Sequence, residues 1–140
     1  MSGADFFDSN VLLYLFDSTD APKRTIAERL IDETLMARSG VISFQVVQEV
    51  LNSFTRKFAQ PGNEEQASHL LRSVLVPLWQ VMPSESLYER TLELQQRYRY
   101  SFYDSLIIAA ALSSDCTRLY TEDLQHGQRI EQLTIVNPFA

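Results

Sequence analysis

The chain has 140 residues, 45% of them hydrophobic and 21% charged, and its formal net charge is -6. This length and composition predict a single globular domain over residues 1–140 and argue against a disordered or fibrous protein. The longest apolar stretch, residues 106–112, is too short for a membrane helix of roughly 20 residues, and the lone Cys116 excludes an intrachain disulfide, so we expect a cytoplasmic protein without a membrane partner.

The first half of the chain alternates predicted strands and helices. Residues 4–7 predict a strand that runs into Asp8-Ser9-Asn10, three residue types that favour helix N-caps. A helix is expected to begin near Pro22 and to end near Arg38, because apolar residues recur there at helical spacing. A short strand at residues 41–42 is then followed by a helix whose apolar face runs from residue 46 to residue 58, with Ser43 as its expected cap.

The second half continues this alternation after a predicted break at residues 60–63. The next helix is expected to end at Pro77, because proline disrupts a helix interior, and residues 79–82 predict a strand. Two further helices are expected, one opening at Pro83 and an apolar one over residues 101–114, followed by strands at 118–121 and 134–136. Strands that alternate with helices predict an α/β fold, a three-layer sandwich with a central, mostly parallel sheet and helices on both faces.

Four acidic residues lie where such a fold would bring them to one edge of the sheet. Asp8 and Asp123 follow predicted strands, and ligands of parallel α/β sheets collect at the carboxyl ends of strands. Asp104 and Glu49 lie in the first and second turns of predicted helices that can face the same edge. Carboxylates without His or Cys suit Mg²⁺ or Mn²⁺ better than zinc, and such cations would also offset the repulsion between an acidic protein and phosphate.

Spacing alone leaves a plainer interpretation open for each acid. Asp8 could only cap a helix, and Ser101 with Asp104 has the spacing of a capping box. Glu49 lies off the apolar stripe of its helix and could be solvated, while Asp123 could be an ordinary turn residue.

The sequence around the acids carries a family resemblance. Four segments, in this order and spacing, resemble the motifs of PIN-domain proteins: FFDSNVLLY at 6–14, VQEVLN at 47–52, YDSLIIAAA at 103–111 and LYTEDLQHG at 119–127. The ending IVNPF at 135–139 also matches. The whole chain is most similar to the VapC-like toxins, small ribonucleases that are paired with an antitoxin.

The resemblance implies a site and an activity. The residues that match the family's acidic pocket are Asp8, Glu49, Asp104 and Asp123, which would bind Mg²⁺ or Mn²⁺, with Ser9, Asn10 and Thr121 as supporting polar residues. The implied activity is metal-dependent hydrolysis of RNA phosphodiester bonds, in which divalent cations activate water and stabilise the leaving oxygen. The general base is left open. An antitoxin partner and a homodimer are also implied, small homo-oligomers being most often two-fold dimers.

Two further features bear on partners. Arg97-Tyr98-Arg99-Tyr100 has a composition suited to RNA, so Arg97 and Arg99 are possible RNA contacts, although tyrosines of this kind also cover core edges. The apolar residues Leu70, Leu71 and Val74 and the region 54–58 could form a homodimer face or an antitoxin groove, or fill the chain's own core. The alternative function is therefore a non-catalytic interaction module of the same fold with a residual metal pocket.

Overall fold

The computed structural model describes residues 3–56 and 62–140. Its strands are β1 (Ala4–Phe7), β2 (Gly40–Ser43), β3 (Trp79–Val81), β4 (Cys116–Tyr120), β5 (Arg129–Ile130) and β6 (Leu133–Val136). Its helices are α1 (Ser9–Leu13), α2 (Ala21–Ala37), α3 (Phe44–Arg56), α4 (Glu64–Leu70), α5 (Val76–Leu78), α6 (Glu85–Tyr98) and α7 (Phe102–Ser113). A 3-10 turn, Tyr14–Phe16, follows α1, and a π-helical turn, Leu71–Leu75, joins α4 to α5.

The strands form one sheet in the order β3-β2-β1-β4-β6-β5. Every neighbouring pair is parallel except β5 with β6, which pair antiparallel. The predicted α/β class with a mostly parallel sheet is therefore confirmed. Parallel neighbours require long crossovers, and helices supply those that lead from β1 to β2, from β2 to β3 and from β3 to β4. The connection from β4 to the parallel β6, all of which the structure describes, contains β5 and no helix.

The central strands and one helix form the core. Phe6 and Phe7 of β1 and Ile42 of β2 are fully buried. Residues 105–112 of α7 are buried without interruption, which fits a helix that is apolar on all sides and packs inside the domain. β1 also carries the buried Asp5, whose carboxylate accepts hydrogen bonds of 2.8 and 3.1 Å from the guanidinium of Arg118 on β4. This ion pair explains how an acid is accommodated in an otherwise apolar strand.

Most helix boundaries agree with the prediction, but the one at Pro77 was wrong. Helical structure continues through the π-helical turn and α5 to Leu78, with Pro77 in the first turn of α5. Proline is tolerated in a first turn because the amide hydrogen that it lacks has no helical partner there. The predicted break at 60–63 and the end of the apolar face at Phe58 fall partly outside the described residues.

Two smaller expectations also failed. β5 lies inside the polar segment 122–132, where no strand was expected, and its two residues are too few to carry a pattern. Ser43 precedes α3, but its buried hydroxyl has no hydrogen-bond partner within the described part of the chain, so it does not cap the helix.

The carboxyl ends of β1 and β4 lie side by side in the sheet. Phe7, the last residue of β1, is paired with Tyr120, the last residue of β4. Immediately beyond this pair, the amide of Asp8 donates a 3.0 Å hydrogen bond to the carbonyl of Tyr120. The segments that begin at Asp8 and Thr121 therefore leave the sheet at the same edge. No helix among the described residues is long and apolar enough to cross a membrane.

Candidate functional site

Asp8 is held at the junction of β1 and α1. Its extended backbone makes it the N-cap of α1, and its Oδ1 accepts a 2.7 Å hydrogen bond from the amide of Ser9. Its Oδ2 accepts a 2.9 Å hydrogen bond from the hydroxyl of Thr121, and the side-chain hydroxyl of Ser9 lies 3.5 Å from Oδ1. Asp8 thus does cap a helix, as the plainer interpretation held, but that role uses only one carboxylate oxygen.

The carboxyl group of Asp8 lies in an environment that disfavours its charge. Only 6% of the residue is exposed, and burial raises its pKa to about 6 although the hydrogen bonds from Thr121 and Ser9 act in the opposite direction. The carboxylates of Glu49 and Asp123 raise this pKa further, so both lie within electrostatic range of Asp8. Within residues 3–56 and 62–140, Asp8 forms no ion pair with a basic side chain. A bound cation would supply the missing positive charge.

Thr121, Asn10 and Asp123 form a hydrogen-bond network beside Asp8. The fully buried hydroxyl of Thr121 accepts a 3.2 Å hydrogen bond from the amide of Asp123. The amide nitrogen of the Asn10 side chain donates to Oδ2 of Asp123 at 2.9 Å and, more weakly, to the Thr121 hydroxyl at 3.4 Å. Thr121 and Asn10 therefore fix Asp123 relative to Asp8, and Asp123 itself remains exposed to solvent.

Glu49 approaches the site from α3. It is partly buried, and its Oε2 accepts a 3.3 Å hydrogen bond from the side-chain amide of Gln45, one turn earlier in the helix. The same amide nitrogen of Gln45 also donates to the backbone carbonyl of Tyr103 at 3.4 Å. Gln45 therefore connects Glu49 to the first turn of α7, where Asp104 lies.

Asp104 is partly buried in the first turn of α7. Its amide donates a 3.1 Å hydrogen bond to the hydroxyl of Ser101, the N-cap of the helix. The return bond of a full capping box, from the Asp104 carboxylate to the amide of Ser101, is not formed. The carboxylate has no hydrogen bond to Asp8, Glu49 or Asp123 in the part of the chain that the structure describes.

Glu49 and Asp123 are therefore within electrostatic range of Asp8, and Asp104 is linked to Glu49 through Gln45, but the four acids form no preformed metal cage. Among the described residues, no three His, Cys, Asp or Glu side chains are close enough together to hold a metal ion. Mg²⁺ commonly takes only one or two protein carboxylates and fills its remaining positions with water and phosphate oxygens. The oxygen donors and the buried Asp8, which has no basic partner among the described residues, fit such a cation.

Sequence reasoning missed two parts of this region. Gln45 was overlooked because nothing in the sequence indicates that it contacts α7. The second omission is a cluster in which the carboxylate of Glu122 accepts hydrogen bonds from the ammonium of Lys23, at 2.5 Å, and from the hydroxyl of Tyr14, at 2.7 Å. These bonds outweigh burial and lower the pKa of Glu122, while the same contacts raise the pKa of Lys23.

The basic and aromatic segment at residues 97–100 divides into two kinds of side chain. Tyr98 and Tyr100 pack against the core, as the plainer interpretation expected. Arg97 and Arg99 are exposed, and neither forms an ion pair within residues 3–56 and 62–140. They remain available to a phosphate group.

The family profile described as PIN domain matches residues 6–129. None of the curated proteins compared with the chain matches it significantly.

Three solved structures are similar in fold. One is a toxin-antitoxin complex from Klebsiella pneumoniae, 21% identical with a TM-score of 0.70, covering 96% of this chain and 98% of its own. Another is VapC20 of Mycobacterium tuberculosis, titled a sarcin-ricin loop cleaving toxin, 21% identical with a TM-score of 0.62 over 86% of this chain and 90% of its own. The third, FitAcB from Neisseria gonorrhoeae, is 14% identical with a TM-score of 0.65 over 96% and 98% of the two chains.

Proposed function

The chain belongs to the PIN-domain family, and on this premise we propose that it is a Mg²⁺- or Mn²⁺-dependent endoribonuclease, the toxin of a toxin-antitoxin pair. The observation that carries the proposal is the state of Asp8. A cation would stabilise the charged form of a carboxylate that is 6% exposed, lacks a basic partner among the described residues and is within electrostatic range of two further acids.

The residues that would hold the metal are Asp8, Glu49, Asp104 and Asp123. When bound, a divalent cation supplies an activated water and stabilises charge on the phosphate and the leaving oxygen. The protein's own part is positional. Thr121 and the amide of Ser9 orient the two oxygens of Asp8, Asn10 and Thr121 orient Asp123, and Gln45 holds Glu49 against the start of α7.

The partner and substrate follow from the same premise. A toxin of this class would be neutralised by an antitoxin protein, and the similar structure from Klebsiella pneumoniae is titled a toxin-antitoxin complex. A surface groove of about 900 Å³, lined in part by Leu15, Phe54 and Val74, could receive an apolar segment of that partner. Leu70 also lines this groove but is mostly buried in the chain's own core. The RNA substrate, the homodimer and the cytoplasmic location are further parts of this proposal.

The second candidate function is an interaction module that no longer cleaves RNA. The exposure of Asp123 and the separation of the acids are compatible with it, because a metal pocket without catalytic use would be under no constraint to close. The two functions differ in one property. The module would bind a partner but would show no metal-dependent cleavage.

Purified protein incubated with single-stranded and structured RNA separates these candidates. If the chain is a toxin ribonuclease, we expect cleavage with Mg²⁺ or Mn²⁺, loss of cleavage in EDTA and recovery of cleavage when the metal is added back. Cleavage that persists in EDTA would indicate a contaminating metal-independent ribonuclease, and no cleavage with any of these RNAs would favour the interaction module.

A further inference from the structure

Tyr103 is the exposed aromatic residue beside the candidate site. Tyr103 directly precedes Asp104 in the first turn of α7, and 65% of the residue is exposed to solvent. Burying aromatic rings normally stabilises a protein, so an exposed ring next to a candidate catalytic acid is a candidate contact for a ligand. Large exposed apolar residues also occur elsewhere in the described chain, but none of the others adjoins one of the four acids: Met36, Val76, Met82, Tyr88 and Leu92.

Two contacts hold Tyr103 in a fixed orientation. Its backbone carbonyl accepts the hydrogen bond from Gln45, which ties the residue to α3. Its ring meets the ring of Phe102 edge to face, with centroids 5.3 Å apart and planes at 88°. Phe102 in turn packs against the hydrophobic core. The Tyr103 ring is therefore braced from inside the domain while most of its surface faces solvent.

Unpaired positive charge lies in the same part of the chain. α6 ends at Tyr98 and α7 begins at Phe102, so Arg99 lies in the short helix-helix connection and Arg97 and Tyr103 lie in the helical turns that flank it. Both arginines are exposed and lack ion pairs within the described residues. In a chain of net charge -6, this pairing of guanidinium groups with a free aromatic face is the composition that single-stranded nucleic-acid binding uses.

We propose that Tyr103 is a stacking platform for an unpaired RNA base next to the phosphate that is cut. This inference rests on the proposed nuclease function and narrows it: the substrate is a single-stranded or looped RNA segment. A base inside a continuous duplex is covered on both faces by its neighbours and cannot offer a face to Tyr103. Arg97 and Arg99 contact the flanking phosphates, and Asp104 lies on the side toward the scissile bond.

The test measures RNA binding in EDTA, so that it does not depend on cleavage. The probe is a short single-stranded oligoribonucleotide that contains one 2-aminopurine, a base whose fluorescence falls when it stacks on an aromatic ring. Wild type is compared with Tyr103→Leu, with Tyr103→Phe as the variant that keeps the ring. The matched control is Tyr88→Leu, an exposed tyrosine in the first turns of α6, at the other end of that helix from the connection.

We expect Tyr103→Leu to lose the quenching of 2-aminopurine fluorescence and to bind the oligoribonucleotide roughly 5- to 150-fold more weakly, a range typical of one stacked base. Tyr103→Phe should retain both properties, and Tyr88→Leu should behave as wild type. Unchanged quenching and affinity in Tyr103→Leu would overturn the proposal, as would an equal loss of duplex binding. A change of oligomeric state in Tyr103→Leu, measured by sedimentation, with RNA binding intact would also overturn it and would assign the ring to a protein interface.

Failure of this inference is distinguishable from failure of the proposed function. If wild type cleaves RNA with metal but Tyr103→Leu binds and cleaves with unchanged KM, the nuclease stands and the stacking platform is wrong. If the stacking signal is present but wild type never cleaves, the base platform stands and the nuclease proposal is wrong.

Discussion

The hydroxyl of Thr121 donates a 2.9 Å hydrogen bond to Oδ2 of Asp8, across the edge where β4 and β1 end side by side. The hydroxyl oxygen of Thr121 also accepts a hydrogen bond from the backbone amide of Asp123. One buried hydroxyl therefore sets the relative positions of two of the four acids. Groups that orient a metal ligand in this way commonly change metal affinity or activity by about 10- to 100-fold when they are removed.

Replacing Thr121 with valine should weaken Mn²⁺ binding by about tenfold or more, because valine keeps the shape but removes the donor to Asp8 and the acceptor for the Asp123 amide. Thr121→Ser keeps the hydroxyl and should retain most of the affinity. Mn²⁺ titration followed by electron paramagnetic resonance provides the measurement. Thr117→Val is the matched control, the same change on β4, the strand that ends immediately before Thr121. Equal Mn²⁺ affinity in Thr121→Val and wild type would contradict this role.

The metal-free protein should be destabilised by Asp8 at neutral pH. Burial raises the pKa of Asp8 to about 6 from 3.8, so the folded state holds this proton more tightly than the unfolded chain does. Folding stability due to this group is therefore greatest at low pH and falls as pH rises from about 4 to about 6. Asp8→Asn removes the charge and, in EDTA, should be more stable than wild type at pH 7 by about 3 kcal/mol at most.

Urea unfolding of wild type and Asp8→Asn at a series of pH values measures this difference. The two proteins should have similar stability near pH 4 and should diverge by pH 7. Asp17→Asn is the control, because the partly exposed Asp17 has a lowered pKa owing to its hydrogen bonds with Thr19 and should show no such gain. A difference between Asp8→Asn and wild type that does not change with pH would rule out this explanation.

The ion pair between Lys23 and Glu122 should support the site through the segment that carries Thr121 and Asp123. Glu122 lies between these two residues, and its carboxylate accepts hydrogen bonds from Lys23 and Tyr14. Its backbone amide donates a 3.3 Å hydrogen bond to Oδ1 of Asn10. Lys23→Met should weaken Mn²⁺ binding several-fold, and Lys23→Arg should restore most of it. The loss of folding stability should be small, since both side chains are partly exposed.

The control for Lys23→Met is Arg24→Met. Arg24 forms its ion pair with Glu28 on the same helix, and both side chains are largely exposed, so its loss should leave Mn²⁺ affinity unchanged. Isothermal titration with Mn²⁺ compares the three variants. If Lys23→Met and Arg24→Met bind the metal equally well, the Lys23 cluster does not position the site.

Replacing Arg97 and Arg99 together with alanine should weaken RNA binding and reduce its salt dependence. Each phosphate contact with single-stranded RNA contributes about 0.7 to the slope of log affinity against log salt concentration, so the slope should fall by about 1.4. Fluorescence anisotropy at several salt concentrations measures both quantities. The exposed Arg29 of α2 provides a control, and Arg29→Ala should leave the slope intact. An unchanged slope in the double variant would exclude the two arginines as phosphate contacts.

The alternation of short apolar strands with amphipathic helices predicted the fold class, because that alternation leaves few ways to bury the strands. The placement of Asp8 at the end of β1 could be predicted from the cap residues that follow the strand. The contact of Gln45 with Tyr103 could not, because it depends on how α3 and α7 meet in space. The continuation of helix past Pro77 was missed because a π-helical turn shifts the proline into a tolerated position.

The most direct test of the central claim is single-turnover cleavage of RNA in Mg²⁺ by wild type, Asp8→Asn and Asp32→Asn, all purified by the same protocol. Asp32 is an exposed acid on α2, so its substitution changes the net charge as Asp8→Asn does but leaves the site intact. We expect Asp32→Asn to cleave like wild type, Asp8→Asn to lose cleavage by orders of magnitude, and EDTA to abolish the activity of both active proteins. Metal-dependent cleavage by Asp8→Asn at the wild-type rate would contradict the central claim.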